Sequence, residues 1–248
     1  MSANLCIDWG NSLVKAAIID EENKIIEARS FNDSDAGQEL SQLIEIYAPK
    51  KGILCSVTNH SSEIEQALTV QLKSFVKLSN STHVPIMNAY TSGETLGADR
   101  LGLAVAAHLQ HPDKNNLVIS AGTCITYNFV QKNKAFRGGI ISPGVHMRLQ
   151  AMHHFTDKLP AIKLEGESLL LGYDTETCMR SGAIFGAAAE IDGIVNEFQA
   201  QYPDFNAILT GGDAPLLAGK LKNKIFADPD LLLKGLNLIL KHNVPQVY

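Results

Sequence analysis

Residues 4–19 read Asn-Leu-Cys-Ile-Asp-Trp-Gly-Asn-Ser-Leu-Val-Lys-Ala-Ala-Ile-Ile. The apolar run 4–8 reads as a strand, Trp9-Gly10-Asn11-Ser12 as a turn, and Leu13 to Ile19 as a second strand rich in β-branched residues. Asp20 to Asn23 is a polar turn, and Lys24 to Arg29 makes a third strand. Tight turns between successive strands dictate an antiparallel meander. The arrangement returns past the midpoint: a strand at 116–120, an Ala121-Gly122-Thr123 turn, a strand at 125–130, a polar turn at 132–134 and a strand at 135–141. The halves share a pattern rather than residues, a weak internal repeat. The polar, Pro-containing stretch 111–116 is the best linker, so two domains are expected, 1–113 and 114–248.

Elsewhere the period changes. Leu40, Leu43, Ile44 and Tyr47 recur at helical spacing, and Pro49 closes that helix. Residues 52–57 read as a strand, 61–73 as a helix and 79–93 as irregular. Residues 98–109 predict a helix with Leu101, Val105 and Leu109 on one face. In the second half Ile184, Ala187, Ala188, Ile191, Val195 and Phe198 form a helical stripe that suits a core or an interface equally. A short strand at 206–210 and a Leu-rich helix at 231–240 complete an α/β chain.

Composition narrows the function. The 248 residues are 45% hydrophobic, enough for a substantial core. A net charge of -5, a pI of about 5.9, scattered basic residues and 6% aromatics argue against a nucleic-acid partner. Cys6, Cys55, Cys124 and Cys178 form no CxxC pair and stand at no zinc spacing with His, the usage of reduced thiols in a cytosolic protein. There is no basic leader and no apolar run near the ~18–20 residues that span a bilayer. A cytoplasmic location without a membrane partner is expected. His153-His154 makes a poor metal pair, because adjacent helical residues diverge.

Four stretches could carry chemistry. Asp8-Trp9-Gly10-Asn11-Ser12, with Lys15 beyond it, offers a close-approach glycine, short polar side chains and a carboxylate able to hold Mg²⁺ directly or through water. Ser120 to Thr126 repeats that logic, with the Thr123 hydroxyl beside Gly122. Gly211-Gly212 between a strand and a helix allows approach to a base or a phosphate. Each alone is equally an ordinary turn. In Gly97-Ala98-Asp99-Arg100, at a helix start, the carboxylate could accept a proton from an alcohol and the guanidinium could grip an acidic substrate. The competing reading is a carboxylate on the helix dipole with Arg100 solvated.

The order of the two glycine hairpins and the late Gly-Gly turn resembles the phosphate-1, phosphate-2 and adenosine elements of the actin, hexokinase and Hsp70 superfamily. That resemblance implies two actin-like (ribonuclease H-like) domains with an ATP cleft between them. Asp8-x-Gly-Asn-Ser, Gly97-Ala-Asp-Arg-Leu, Gly122-Thr123 and Gly138-Gly-Ile-Ile-Ser-Pro-Gly together resemble type III pantothenate kinases, from about residue 4 to 240. The resemblance implies ATP-dependent phosphorylation of pantothenate to 4'-phosphopantothenate, the first step of coenzyme A synthesis, by a homodimer. It assigns Asp8, Gly10, Asn11, Ser12, Lys15, Thr123, Gly211 and Gly212 to ATP, with Asp8 on Mg²⁺. It assigns Asp99 as general base, kept ionised by Arg100. Pantothenate is expected to contact Tyr90, Gly97, Ala98, Asp99, Arg100 and Thr175.

Two positions depart from the family pattern. Ser120 replaces the Asp expected to hold a monovalent cation, K⁺ or NH₄⁺, and Asn128 replaces a second Asp. A Ser hydroxyl can still coordinate K⁺, but one negative charge is gone. These changes motivate an alternative, a weakened relative that binds nucleotide or pantothenate as a regulator.

Overall fold

The computed structural model describes residues 3–58 and 62–244. Its strands are β1 Ala3–Trp9, β2 Val14–Asp20, β3 Ile25–Phe31, β4 Lys51–Ser56, β5 Ser74–Lys77, β6 Met87–Asn88, β7 Asn115–Ala121, β8 Cys124–Val130, β9 Ala135–Pro143, β10 Phe205–Thr210 and β11 Phe226–Ala227. Its α-helices are α1 Ala36–Tyr47, α2 Ser62–Gln71, α3 Ala98–Gln110, α4 Val145–His154, α5 Thr175–Gln201, α6 Ala214–Ala218 and α7 Leu231–Asn243. Two compact units result. One comprises Met1–Pro112, Gln131–Arg137 and Asp230–Tyr248; the other comprises Asp113–Val130 and Gly138–Pro229. Among the described residues no helix is long and apolar enough to cross a membrane.

In the first unit the strands run β3-β2-β1-β4-β5. The meander is antiparallel, from Ala3↔Asp20 to Trp9↔Val14, and β4 adds to β1 in parallel. Strand side chains alternate between faces. Leu5, Ile7, Trp9, Val14, Ala16 and Ile18 therefore share one face, packed with Leu40 and Leu43 of α1 and Leu68 of α2. The opposite face carries Asn4, Cys6 and Asp8. Helix α7 covers it, and Asn237 Oδ1 accepts from Asn4 Nδ2 at 2.8 Å. Helices α3 and α7 cross backbone to backbone, because any side chain at Gly235 would collide with the Gly102 carbonyl. The two-residue strand β6 pairs with the start of β9 at Met87↔Ala135 and Asn88↔Phe136.

In the second unit the strands run β11-β10-β7-β8-β9. Leu117, Ile119, Ala121, Ile125, Tyr127 and Phe129 meet Val145 and Leu149 of α4 and the stripe of α5. That stripe, Ile184 to Val195, is core. Helix α5 is well started: Asp174 accepts from the Thr177 N–H at 2.8 Å in a reciprocal capping box.

The expected meanders, α1, α3, α5 and α7 are present. The helix expected over 61–73 spans Ser62–Gln71, and residue 61 lies outside the described residues. Leu109 is exposed rather than on the buried face of α3, since it lies at the last turn where the helix leaves its neighbour. Helix α4 was not anticipated, because only Val145 and Leu149 of its ten residues are buried.

Candidate active site

Asp8 is the next-to-last residue of β1, and Asp99 is the second residue of α3. Their charges interact. Burial, and then the Asp99 charge, push the Asp8 carboxyl up to about 7, while Lys15, its partner across β1 and β2, pulls it down. Burial also raises the Asp99 carboxyl. The Arg100 backbone N–H, the Arg100 charge and its own N–H oppose that rise. Arg100 thus acts toward ionisation as expected, but burial outweighs it. Burial, Asp8 and Asp99 together raise the Cys55 thiol, which sits beside the pair. A Cβ at Gly97 would stand 2.5 Å from Asp99 Oδ1, so the glycine leaves room for the carboxylate to fold back over the helix start.

Arg100 is not solvated. It is buried at 5% exposure, with its guanidinium carbon 5.8 Å from the Tyr90 ring centroid. Tyr90 in turn stands 6.3 Å from Phe136 on the returning segment. One helix start therefore presents a carboxylate and a ring-backed guanidinium together.

The first glycine turn closes through Gly10 N–H to Leu13 O at 3.2 Å, leaving Asn11 and Ser12 exposed at its tip. Trp9 points the other way, into the core with α1, and donates Nε1–H to Asp33 Oδ1 at 2.9 Å.

The second unit gathers its glycine elements around one turn. Gly122 N–H bonds Cys124 O at 3.0 Å, and Thr123 is exposed. Gly144 donates to Thr123 O at 3.1 Å, and any side chain there would strike the Gly122 and Thr123 backbone. Gly211, at φ +98°, approaches Ala121 too closely for any Cβ, and Asp213 N–H bonds Ala121 O at 2.9 Å. Gly212 is open to space. The strand expected over 135–141 runs on to Pro143, and the Pro143-Gly144 step that follows packs against the Gly122–Thr123 turn. Thr175 is exposed at the start of α5.

Ser120 pairs with Thr126 and lies on the sheet face that also carries Asn128, whose Nδ2 donates to Thr126 Oγ1 at 3.0 Å. That set of oxygens is neutral. Among the described residues no group of three or more His, Cys, Asp or Glu could hold a metal ion. His153 Nδ1 meets the Leu159 carbonyl at 2.7 Å instead.

Residues 4–197 match the family model for type III pantothenate kinase. A type III pantothenate kinase of Phocaeicola vulgatus is 44% identical over 97% of this chain and 98% of its own length. One from Christiangramia forsetii is 38% identical over 98% and 100%. Among solved structures, a putative Baf family transcriptional activator from Campylobacter jejuni aligns with a TM-score of 0.58 at 21% identity, covering 96% of this chain and 98% of that one. A putative N-acetylmannosamine kinase from Listeria monocytogenes gives 0.57 at 12%, covering 97% and 99%. These structural likenesses speak for the actin-like and sugar-kinase fold, and the sequence matches for the activity: the chain belongs to the type III pantothenate kinase family.

Proposed function

We propose that Asp99 receives the hydroxyl proton as the family's reaction, phosphorylation of pantothenate by ATP, proceeds in this chain. The observation that carries the assignment is half-buried Asp99 at the start of α3, next to buried Arg100 and close enough to Asp8 for its charge to act on that carboxyl. Arg100, backed by Tyr90, is assigned to the pantothenate carboxylate, with Gly97, Ala98 and Thr175 completing the substrate contacts. Gly10, Asn11, Ser12, Lys15, Thr123, Gly211 and Gly212 are assigned to ATP. The transition state is loose, so most of the acceleration comes from positioning and charge stabilisation. The 4'-hydroxyl oxygen bonds to the γ-phosphorus as the bond to ADP breaks, and the hydroxyl proton passes to Asp99. Mass spectrometry of the product from purified protein, ATP, Mg²⁺ and pantothenate tests this. Phosphorylated pantothenate is expected; ADP without a phosphorylated product would overturn it.

Mg²⁺ fits the residues present. Asp8 and Asp99 carry repelling negative charge that Lys15 only partly offsets, which suits a divalent ion shared with phosphate oxygens and water. Asp8 would hold it, and it would neutralise charge on the phosphates. A tightly held monovalent cation does not fit, because Ser120, Thr126 and Asn128 supply no carboxylate. K⁺ is expected to stimulate turnover less than about twofold, and Ser120→Asp to create a dependence of about tenfold. Rates measured in K⁺ against a bulky organic cation check this.

A second copy of the chain is the proposed partner. Leu170 and Leu171, 79% and 86% exposed, flank a 410 Å³ hollow lined by Cys178, Gly182, Phe185 and Gly186. Small residues on a long helix allow another helix close approach, and so large an apolar surface implies a cover. Leu171→Asp is expected to convert a dimer to a monomer in light scattering. A dimer unchanged by it would contradict this interface. The free cysteines and the use of ATP favour a cytoplasmic setting.

A further inference from the structure

Glu190 of α5 is an acceptor for three side chains: Tyr127 Oη at 2.9 Å, Ser142 Oγ at 2.5 Å and Arg148 Nη2. Burial works to raise its carboxyl, but the hydrogen bonds from Ser142, Arg148 and Tyr127 outweigh it and hold Glu190 below the ordinary carboxylate range. Arg148 also donates Nε–H to the Pro143 carbonyl at 2.9 Å, and its backbone N–H bonds Gly144 O at 3.0 Å. One guanidinium thus ties α5 to the Pro143–Gly144 step through two separate donors. That step is the flank on which the Gly122–Thr123 turn rests. Gly144 donates to Thr123 O, and nothing larger than glycine fits there. The other flank is held by Gly211 and Asp213 against Ala121. The fixed chain of contacts runs from Glu190 to Arg148, then Pro143–Gly144, then Gly122–Thr123.

We propose that Arg148 and Glu190 are positioning residues for the nucleotide, fixing the Pro143–Gly144 step so that the Gly122–Thr123 turn presents the exposed Thr123 hydroxyl to the ATP phosphates. This rests on the assignment of that turn to ATP. The two side chains remain 22% and 26% exposed, and an ion pair in that setting contributes little to global stability. A hydroxyl donor to phosphate, by contrast, depends on where its turn points it, because a hydrogen bond weakens steeply as it tilts.

The test uses full-length protein with each substrate varied in turn, a non-hydrolysable ATP analogue in calorimetry, and a Tm for every variant. Arg148→Met is expected to raise KM for ATP and Kd for the analogue about tenfold, the worth of one charge-assisted hydrogen bond, with KM for pantothenate changed less than about twofold. Arg148→Lys keeps a charge facing Glu190, but a single ammonium does not reproduce the fork that serves Pro143 and Glu190 together. It should keep the wild-type Tm, as Arg148→Met should, and leave most of the ATP defect. If Lys restores ATP binding, or if Met lowers Tm and moves both KM values together, Arg148 is structural only and the proposal is overturned. Thr123→Ala separates the two assignments. If it leaves analogue binding unchanged, the turn is not a phosphate site. If it weakens binding while Arg148→Met does not, the clamp alone is wrong. Should Arg148→Met fail to fold, Glu190→Gln carries the same comparison, since it keeps an oxygen acceptor and loses the charge.

Discussion

Replacing Arg100 by Lys is expected to raise KM for pantothenate about a hundredfold, roughly 2.7 kcal/mol, with KM for ATP changed less than about twofold. The reason is geometric. The guanidinium is buried and stands over the Tyr90 ring, so its plane is set before substrate arrives. A planar fork fixed in that way can meet a carboxylate with two parallel hydrogen bonds. Lys keeps the charge but offers a point donor on a flexible stem, with no plane to lie on the ring. Tyr90→Leu should give a smaller loss of the same kind, because it removes the backing and not the donors. Steady-state kinetics with pantothenate varied at saturating ATP check both. A wild-type KM for pantothenate in Arg100→Lys would detach that residue from the substrate carboxylate.

Asp99→Asn is expected to lower kcat by about a thousandfold, within the range lost when a positioned base is removed. Its effect on stability has the opposite sign. Asp8 is raised to about 7 in the folded chain, chiefly by burial and next by the Asp99 charge. A carboxyl whose folded pKa lies above its unfolded value contributes stability while it is protonated, and that contribution is lost as pH rises from the unfolded pKa through the folded one. The nucleotide-free protein should therefore lose Tm between about pH 4 and pH 7 through this group. Removing the Asp99 charge relieves Asp8 over the same window. Asp99→Asn should melt higher than the wild type at pH 8, with a smaller difference at pH 5. Thermal melts of the nucleotide-free proteins at the two pH values check this. An inactive variant that is also more stable is what a functional carboxylate pair predicts.

Much of this was legible in the chain. Short apolar runs over 4–19 and 116–130, broken by tight turns, set the two meanders, and their strands are buried on both faces. The start of α3 was marked by Gly97-Ala98-Asp99-Arg100, whereas the capping box of Asp174 and Thr177 that starts α5 was seen only in the structure. What escaped the sequence is what pairing or packing decides. The two-residue strands β6 and β11 are defined by their neighbours and have no periodicity of their own. Helix α4 buries too little to show a stripe. The apolar spacing of α7 announces a helix but not which core it joins; the close fit of Gly235 on Gly102 decides that. The site divides in the same way. Asp8, Asp99 and Arg100 could each be singled out from a local motif, but each motif alone suited an ordinary turn or a helix-dipole carboxylate equally. That the Asp99 charge raises Asp8 follows only from the fold, which brings the end of β1 to the start of α3. Arg148 and Glu190 stand 42 residues apart on two helices with no motif between them, and nothing in the sequence joins them.

In the proposed reaction transfer to pantothenate depends on half-buried Asp99, beside Arg100 and within electrostatic reach of Asp8. ADP release at millimolar ATP, with and without pantothenate, measured on wild type beside Asp99→Asn, tests it most directly. Pantothenate-dependent release is expected from the wild type, with loss of that release in a variant that is folded and still binds pantothenate. Equal release by the variant, or no release by a wild type that binds pantothenate, would contradict it.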